Sequence, residues 1–378
     1  MLAAVALAAG LGVLGAWLVG DDGQSPAGEL GPVAGAAEVA SAGDPAIKFP
    51  LALEGLEAPP SDLVIDPQAG ELWFSIFSDN GHKLYRYDPT TDGLEHYDLP
   101  SDPGGTGLFS AILVDERGHV LVGYGLTVAD FDPVAEKFSV FALPETPANL
   151  EVLDANMKPF ITDMIALDGK LLIGRLNTAA LTELDTNNGD VVEHPIPSSF
   201  GCAINMVAAD GVYMSNWIGF GKERQVARLD IKTDAFEPLA FGASALAADA
   251  QGGILAAKMD EAALASVDGT LASSLDVKEA GDILSGINDA LAVDGRSGTL
   301  WFTGNRGTIA RLDPATSAVT VYELPRYVVP ANVIRGVAGE PPTDRIQATW
   351  VGGLTVDAEG NLYFSDQTAK RIGIIPAP

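Results

Sequence analysis

The amino-acid sequence predicts an all-β fold: a seven-bladed β-propeller closed by an N-terminal strand and preceded by one hydrophobic N-terminal helix. Three observations carry that expectation. A tooth-like unit recurs seven times, the last unit lacks a strand, and a spare strand stands ahead of the first unit. The unit is plainest at LWFTGNRGTIARLDPATSAVTVYELP, residues 300–325. It reads as an apolar strand ending in a small residue, a loop, a strand closing on Asp-Pro, and a strand closing on Leu-Pro.

Each unit opens with a short apolar strand that runs into an aspartate, with glycine following within a few residues. These turns start at Asp66, Asp115, Asp168, Asp210, Asp249, Asp294 and Asp357. Asp-to-Gly between two apolar runs is a hairpin signal, because glycine takes positive φ at no steric cost. The second strands are ELWFS, HVLVG, KLLIG, GVYMS, GILAA, TLWFT and NLYFS. Third strands end near LYRYDP, VADFDP, LTELDT, VARLDI, LASVDG, IARLDP and IGIIPAP, and fourth strands include LEHYDLP, FSVFALP and VTVYELP. The seventh unit, residues 351–378, stops after three strands, while IKFPLAL at residues 47–53 has the look of the missing fourth. An open array would expose an unpaired edge at each end, and closing the ring with residues 47–53 removes both. Turn spacings of 49, 53, 42, 39, 45 and 63 residues suit blades of about 40–50 residues with insertions.

Ahead of the propeller, expected over residues 46–378, lie two further segments. Residues 1–20 (MLAAVALAAGLGVLGAWLVG) carry no charge and are long enough to span a bilayer. They read as a transmembrane anchor or an uncleaved signal segment. Ala4, Ala8, Gly12, Ala16 and Gly20 form a small-residue stripe, either a helix-pairing face or the chance product of an Ala/Gly-rich signal. Residues 21–45 are Gly/Ala/Pro-rich and read as a flexible linker. Export follows from either reading, to the periplasm or cell surface, anchored or secreted.

Composition excludes several classes. The net charge of −29, from 22 basic and 51 acidic residues, repels phosphate backbones, so nucleic-acid binding is not expected. The single Cys202 permits no intrachain disulfide, and the four histidines show no zinc-ligand spacing.

In a propeller the innermost strand of each blade starts at the mouth of the central channel and the second strand returns there, so two columns of the repeat should converge. Five residues before each turn aspartate stand Ser61, Ser110, Asp163, Asn205, Ser244, Asp289 and Gly352. This column is either a solvated rim or an oxygen-rich collar. In the second case Asp163, Asn205 and Asp289 offer oxygens suited to Ca²⁺ or Mg²⁺. After the second strand stand Ile76, Tyr124, Arg175, Asn216, Lys258, Gly304 and Asp366, each preceded by a small residue that suggests tight blade packing. Arg175, Asn216, Lys258 and Asp366 are the candidate ligand-binding set. Arg175 and Lys258 would bind a carboxylate or neutralise Asp163 and Asp289. Among connections between blades, residues 145–160 and 326–350 are long. Long loops in compact folds are usually functional or disordered. The second carries Tyr327, Arg335, Arg345 and Trp350, side chains favoured at protein contacts.

The stretches WFTGNRGTIARLDPATSAVTVYELP and LWFSIFSDNGHKLYRYDPTTDGLEHYDLP resemble the repeats of the streptogramin (virginiamycin B) lyase family, whose blades read WFTE…KIGR-(D)-P-TG…EY-LP. The resemblance covers residues 46–378 as an architecture and is most specific in the first and sixth units and in GGLTVDAEGNLYFSDQTAKRIGII. Propellers of the NHL and gluconolactonase type share the same blade grammar. The family places its reacting histidines in the first column of the last two blades, and a metal-holding Glu after the second strand of the last. The matching positions here are Asp289 and Gly352, with Asp366-Gln367 in the place of the Glu. His82, His96, His119 and His194 all fall elsewhere. The resemblance therefore implies the fold and not the cleavage reaction. The expected function is a membrane-anchored extracytoplasmic module that binds a protein or ligand, as a subunit of a larger membrane complex. The alternative is a metal-dependent lyase- or lactonase-like enzyme at the channel mouth.

Overall fold

The computed structural model describes residues 38–41, 43–78, 81–101, 110–145, 159–217, 225–240, 242–243, 245–248, 253–258, 263–267, 271–276, 290–304, 307–313, 315–316, 318–329, 345–349 and 351–378. The alternation of apolar strand, Asp-Gly turn and apolar strand gives antiparallel four-stranded sheets whose strands pair in chain order. Blade 1 runs through Pro60–Ile65, Leu72–Ser78, Gly81–Asp88 and Gly93–Asp98. Blades 2 to 6 repeat the pattern over residues 110–142, 160–195, 202–238, 245–276 and 291–323.

The architecture corrects the seven-bladed expectation. Among the described residues the all-β propeller has six four-stranded blades and no α-helix. Between blade 6 and blade 1 lies a sheet of three strands, Val351–Val356, Leu362–Asp366 and Arg371–Ile375. Residues 47–53 do not form its fourth strand. They make a single bridge, Lys48 to Ile374, and then a 3₁₀ turn over Leu51–Leu53. Pro50 is the reason: it has no N–H to extend a ladder, and its φ of −60° leads into the turn. Burial does the remaining work of closure, with Ile47 among Trp301, Leu324, Phe364 and Ile375. The expected N-terminal helix, residues 1–20, lies outside the described residues. No described helix is long and apolar enough to cross a membrane.

Two segments read as irregular contain strands. Glu38–Ser41, inside the expected linker, pairs with Arg326–Val329, which pairs in turn with Arg345–Ala348. The long 326–350 connection thus carries a small three-stranded sheet separate from the blades.

Apolar side chains fill the spaces between blades, as flat amphipathic sheets stacked face to face require. Trp73 and Phe131 meet between blades 1 and 2, and Leu172 and Met214 between blades 3 and 4. Second strands are buried almost throughout, whereas outer strands alternate toward solvent. The small residue ending each second strand has a steric cause. A Cβ on Gly123 would lie 2.7 Å from Met164 Sδ, and one on Gly174 3.1 Å from the Ala203 carbonyl. Larger side chains there would push the next inner strand away.

Candidate functional site

The second column forms one rung around the ring. Ile76, Tyr124, Arg175, Asn216 and Asp366 face Pro60, Ser110, Ile161, Ala203 and Val351 at the mouth end of the pairing between the first two strands of their blades. All five are fully buried. Their polar atoms turn away from the channel and grip the chain as it leaves the preceding blade. Tyr124 donates to the Pro100 carbonyl at 2.7 Å, and Arg175 Nη1 donates to that of Pro144 at 2.9 Å. Asn216 donates to the Phe200 carbonyl and accepts from the Gln225 amide at 2.6 Å. Asp366 accepts from the Tyr327 hydroxyl at 2.6 Å.

Arg175 illustrates how such a charge becomes tolerable in the interior. Its Nη2 donates to both oxygens of Glu193, at 2.8 and 3.0 Å, so a single nitrogen straddles the carboxylate in a charge-assisted pair. Of the four residues expected to bind a ligand, Arg175, Asn216 and Asp366 are therefore engaged in joining blades. Lys258 ends the strand Ile254–Lys258, and its side chain lies outside the described residues.

The inner collar is assembled by β-bulges. The register slips between Ile161 and Asp163 and between Ala203 and Asn205, and Asp163 and Asn205 then face Gly174 and Ser215. The same slip occurs between Pro60 and Leu63 and between Val351 and Leu354. It brings Asp62, rather than Ser61, to the level of Asp163. Counting back from the turn aspartate misses this because the turns differ. Asp168 and Gly169, at φ of 53° and 75°, form a two-residue turn beyond the Leu167–Lys170 pair. The Asp66 amide instead bonds to the Glu71 carbonyl, one rung further in.

Asp163 bridges neighbouring blades, accepting from Met164 N at 2.8 Å and from Met206 N of blade 4 at 2.6 Å. Asp62 accepts from Leu63 N at 2.8 Å and is likewise held by the amide of Ile112 in blade 2. Desolvation dominates both carboxyls and raises them, Asp62 to about 6 and Asp163 to about 7, although the amide bonds pull the other way. The charge of Asp62 adds to the rise at Asp163. Asn205 donates to the Ile204 carbonyl at 2.7 Å, and its buried Oδ1 has no partner. Asp289 lies outside the described residues. Among the described residues no group of three or more His, Cys, Asp or Glu is placed to hold a metal ion. Both Asp163 oxygens already accept amides, so Asp163 and Asn205 alone do not make a Ca²⁺ or Mg²⁺ shell.

Tyr327, expected at a partner contact, is buried and joins the small sheet to the closing sheet. Its hydroxyl meets Arg371 Nη2 at 2.5 Å as well as Asp366, and the Arg371 guanidinium lies 3.4 Å from the Phe49 ring centre. Arg326 beside it is exposed. Arg335 and Trp350 lie outside the described residues. Arg345 pairs with Val329 through its backbone, and its side chain is not described.

The histidines lie away from the collar. His82 packs on Phe77 and Tyr124, and His96 on Tyr85. His119 Nδ1 meets Asp130 at 2.8 Å. His194 is buried between Asp234 of blade 4, at 2.7 Å, and Glu183, at 3.3 Å. The link to Asp234 spans forty positions in sequence, and no local pattern announces it.

No family model matches the chain, and no curated protein matches it. Solved structures do match. The extracellular domain of the putative one component system BT4673 from B. thetaiotaomicron aligns with a TM-score of 0.55 at 13% identity, over 87% of this chain and 39% of that one. The extracellular domain of the putative hybrid two component system BT3049 from the same organism aligns at 0.55 and 12%, over 84% and 40%. The Cps50 (Swd1) β-propeller domain of Myceliophteria thermophila aligns at 0.60 and 10%, over 86% of this chain and 99% of that one. This chain thus spans about two fifths of the length of the two B. thetaiotaomicron domains. These likenesses are to β-propeller domains. They support the propeller fold, and the resemblance to the streptogramin lyase family is carried no further.

Proposed function

We propose that this chain is an extracytoplasmic binding module, tethered to a membrane by residues 1–20, that presents its channel-mouth face to a protein partner in or at that membrane. The observation that carries the reading is the small sheet made by the 326–350 connection and Glu38–Ser41. Blade stacking does not require such a sheet, and it adds surface beside the channel mouth with Arg326 exposed. The engagement of Arg175, Asn216 and Asp366 in joining blades supports a scaffold in which the second column holds structure. Two of the proteins with similar propellers are described as extracellular domains of putative signalling systems, which agrees with a binding role outside the cytoplasm. The test is the native mass and composition of the full-length protein extracted from its own membranes in mild detergent. Co-migration with other subunits, with Met1 retained, is the expected result. A processed, single-chain propeller would overturn the proposal.

A second reading, a metal-dependent lyase- or lactonase-like enzyme using Asp163, Asn205 and Asp289, is favoured by one feature, the unpartnered Asn205 Oδ1 on the collar. Its signature is a stoichiometric divalent ion that is lost in Asp163→Ala.

A further inference from the structure

We infer that the propeller hangs by its channel-mouth face, so that this face, with the inner collar, looks toward the bilayer. The inference rests on the tethered reading above and adds its orientation. Strand directions define the two faces. Inner strands start at the mouth, and every connection from an outer strand to the next inner strand runs there. The connection leaving Ala318–Glu323 carries Arg326–Val329 and Arg345–Ala348 before re-entering the ring at Val351. The small sheet therefore stands on the mouth face, and Glu38–Ser41 is its outer strand.

The chain is pinned a second time just beyond. Asp44 N donates to the Glu323 carbonyl at 2.7 Å. Gly43, at φ 77°, lies so close that a Cβ would sit 2.8 Å from Pro325 N and 2.9 Å from Glu323 O. Only a glycine meets both demands. The chain therefore enters the described structure, at Glu38, on the mouth side.

The experiment uses the full chain in vesicles of phosphatidylcholine and phosphatidylglycerol bearing a headgroup fluorescence acceptor, in a Cys202→Ser background. Donor dyes are placed through Ser101→Cys and Ser198→Cys on the mouth face, and through Thr91→Cys and Asn188→Cys on the opposite face; all four positions are exposed. The expected result is energy transfer from the first pair and its loss at the second. Equal or reversed transfer in protein that floats with the vesicles overturns the orientation alone. Protein with Met1 intact that does not float overturns the tethered reading and the orientation with it, so flotation separates the two failures. Val39→Pro combined with Gly43→Val, which disturbs both the pairing with Arg326–Val329 and the close approach at Pro325, should bring the four positions to similar transfer. Unchanged transfer in that variant overturns the pinning role.

Discussion

Asp163 on the inner collar and Asp88 in a hairpin turn accept hydrogen bonds of similar length, yet their carboxyls move in opposite directions. Asp163 accepts two amides at 2.8 and 2.6 Å and is raised to about 7 because burial strips its water. Asp88 accepts the Thr90 amide at 2.8 Å and two threonine hydroxyls at 2.6 and 2.8 Å in full solvent, and falls to about 2. Hydrogen bonding favours the anion in both places; desolvation, with a smaller push from the charge of Asp62, reverses the outcome at Asp163. Polar side chains near the axis thus hold the blades together at a solvation cost, while those in the turns cap backbone amides without it. Asp66, Asp115, Asp132, Asp294 and Asp313 serve the second use as well.

The comparison is broken most severely at Arg175. Arg175→Met keeps much of the volume but leaves the Pro144 carbonyl and Glu193 without their guanidinium. We expect a loss of about 2–4 kcal/mol in chemical denaturation. Asp163→Asn addresses pH. The folded-state value of Asp163 lies above its unfolded value of 3.8. Its contribution is therefore fully present below pH 4 and is lost as pH rises through about 7. Melting curves of the parent should show a stability component that declines from pH 4 to 7. The variant should show a shallower decline, with the slope that remains assigned to Asp62 and Glu71, whose carboxyls burial also raises. Tyr327→Phe removes one hydroxyl from Asp366 and Arg371 and should cost about 1–2 kcal/mol, with the fold retained by circular dichroism. Asp88→Asn should lower stability slightly at pH 7, where the charged carboxylate and its turn hydrogen bonds lie at the surface. The stability due to Asp88 is present above its usual value of 3.8 and is lost as pH falls through about 2, so the variant should show a smaller drop than the parent between pH 4 and 2.

The repeat was legible because each Asp-Gly turn is chemically obligatory, and the strands follow from the apolar runs between turns. The closing strand was not, because IKFPLAL looks apolar throughout while Pro50 alone ends its pairing. The repeat aligns the second column along its strands, but which way each side chain turns is not written in the spacing. A residue at the mouth can face the channel or the neighbouring blade, and Arg175 and Asn216 face the blade. Asp62 escaped notice because the turn after it is built differently from the turn after Asp163, which shifts the count by one. Tyr327 looked like an anchor for a partner because aromatic side chains in long loops serve that role. Here Asp366, thirty-nine positions away, claims its hydroxyl.

The junction near Lys48 also bears on how the molecule comes into being. Lys48 pairs with Ile374, the Leu56 amide bonds to the Lys370 carbonyl, and Gln367 reaches the Pro60 carbonyl across 307 positions of sequence. The segment around Lys48 to Pro60 is therefore completed by residues synthesised 307 or more positions later. Blades made of neighbouring hairpins can form as the chain emerges, but the ring cannot close until the final strand is released. Such distant pairings are slow, and until they form both flanks of the array remain open edges able to recruit another chain.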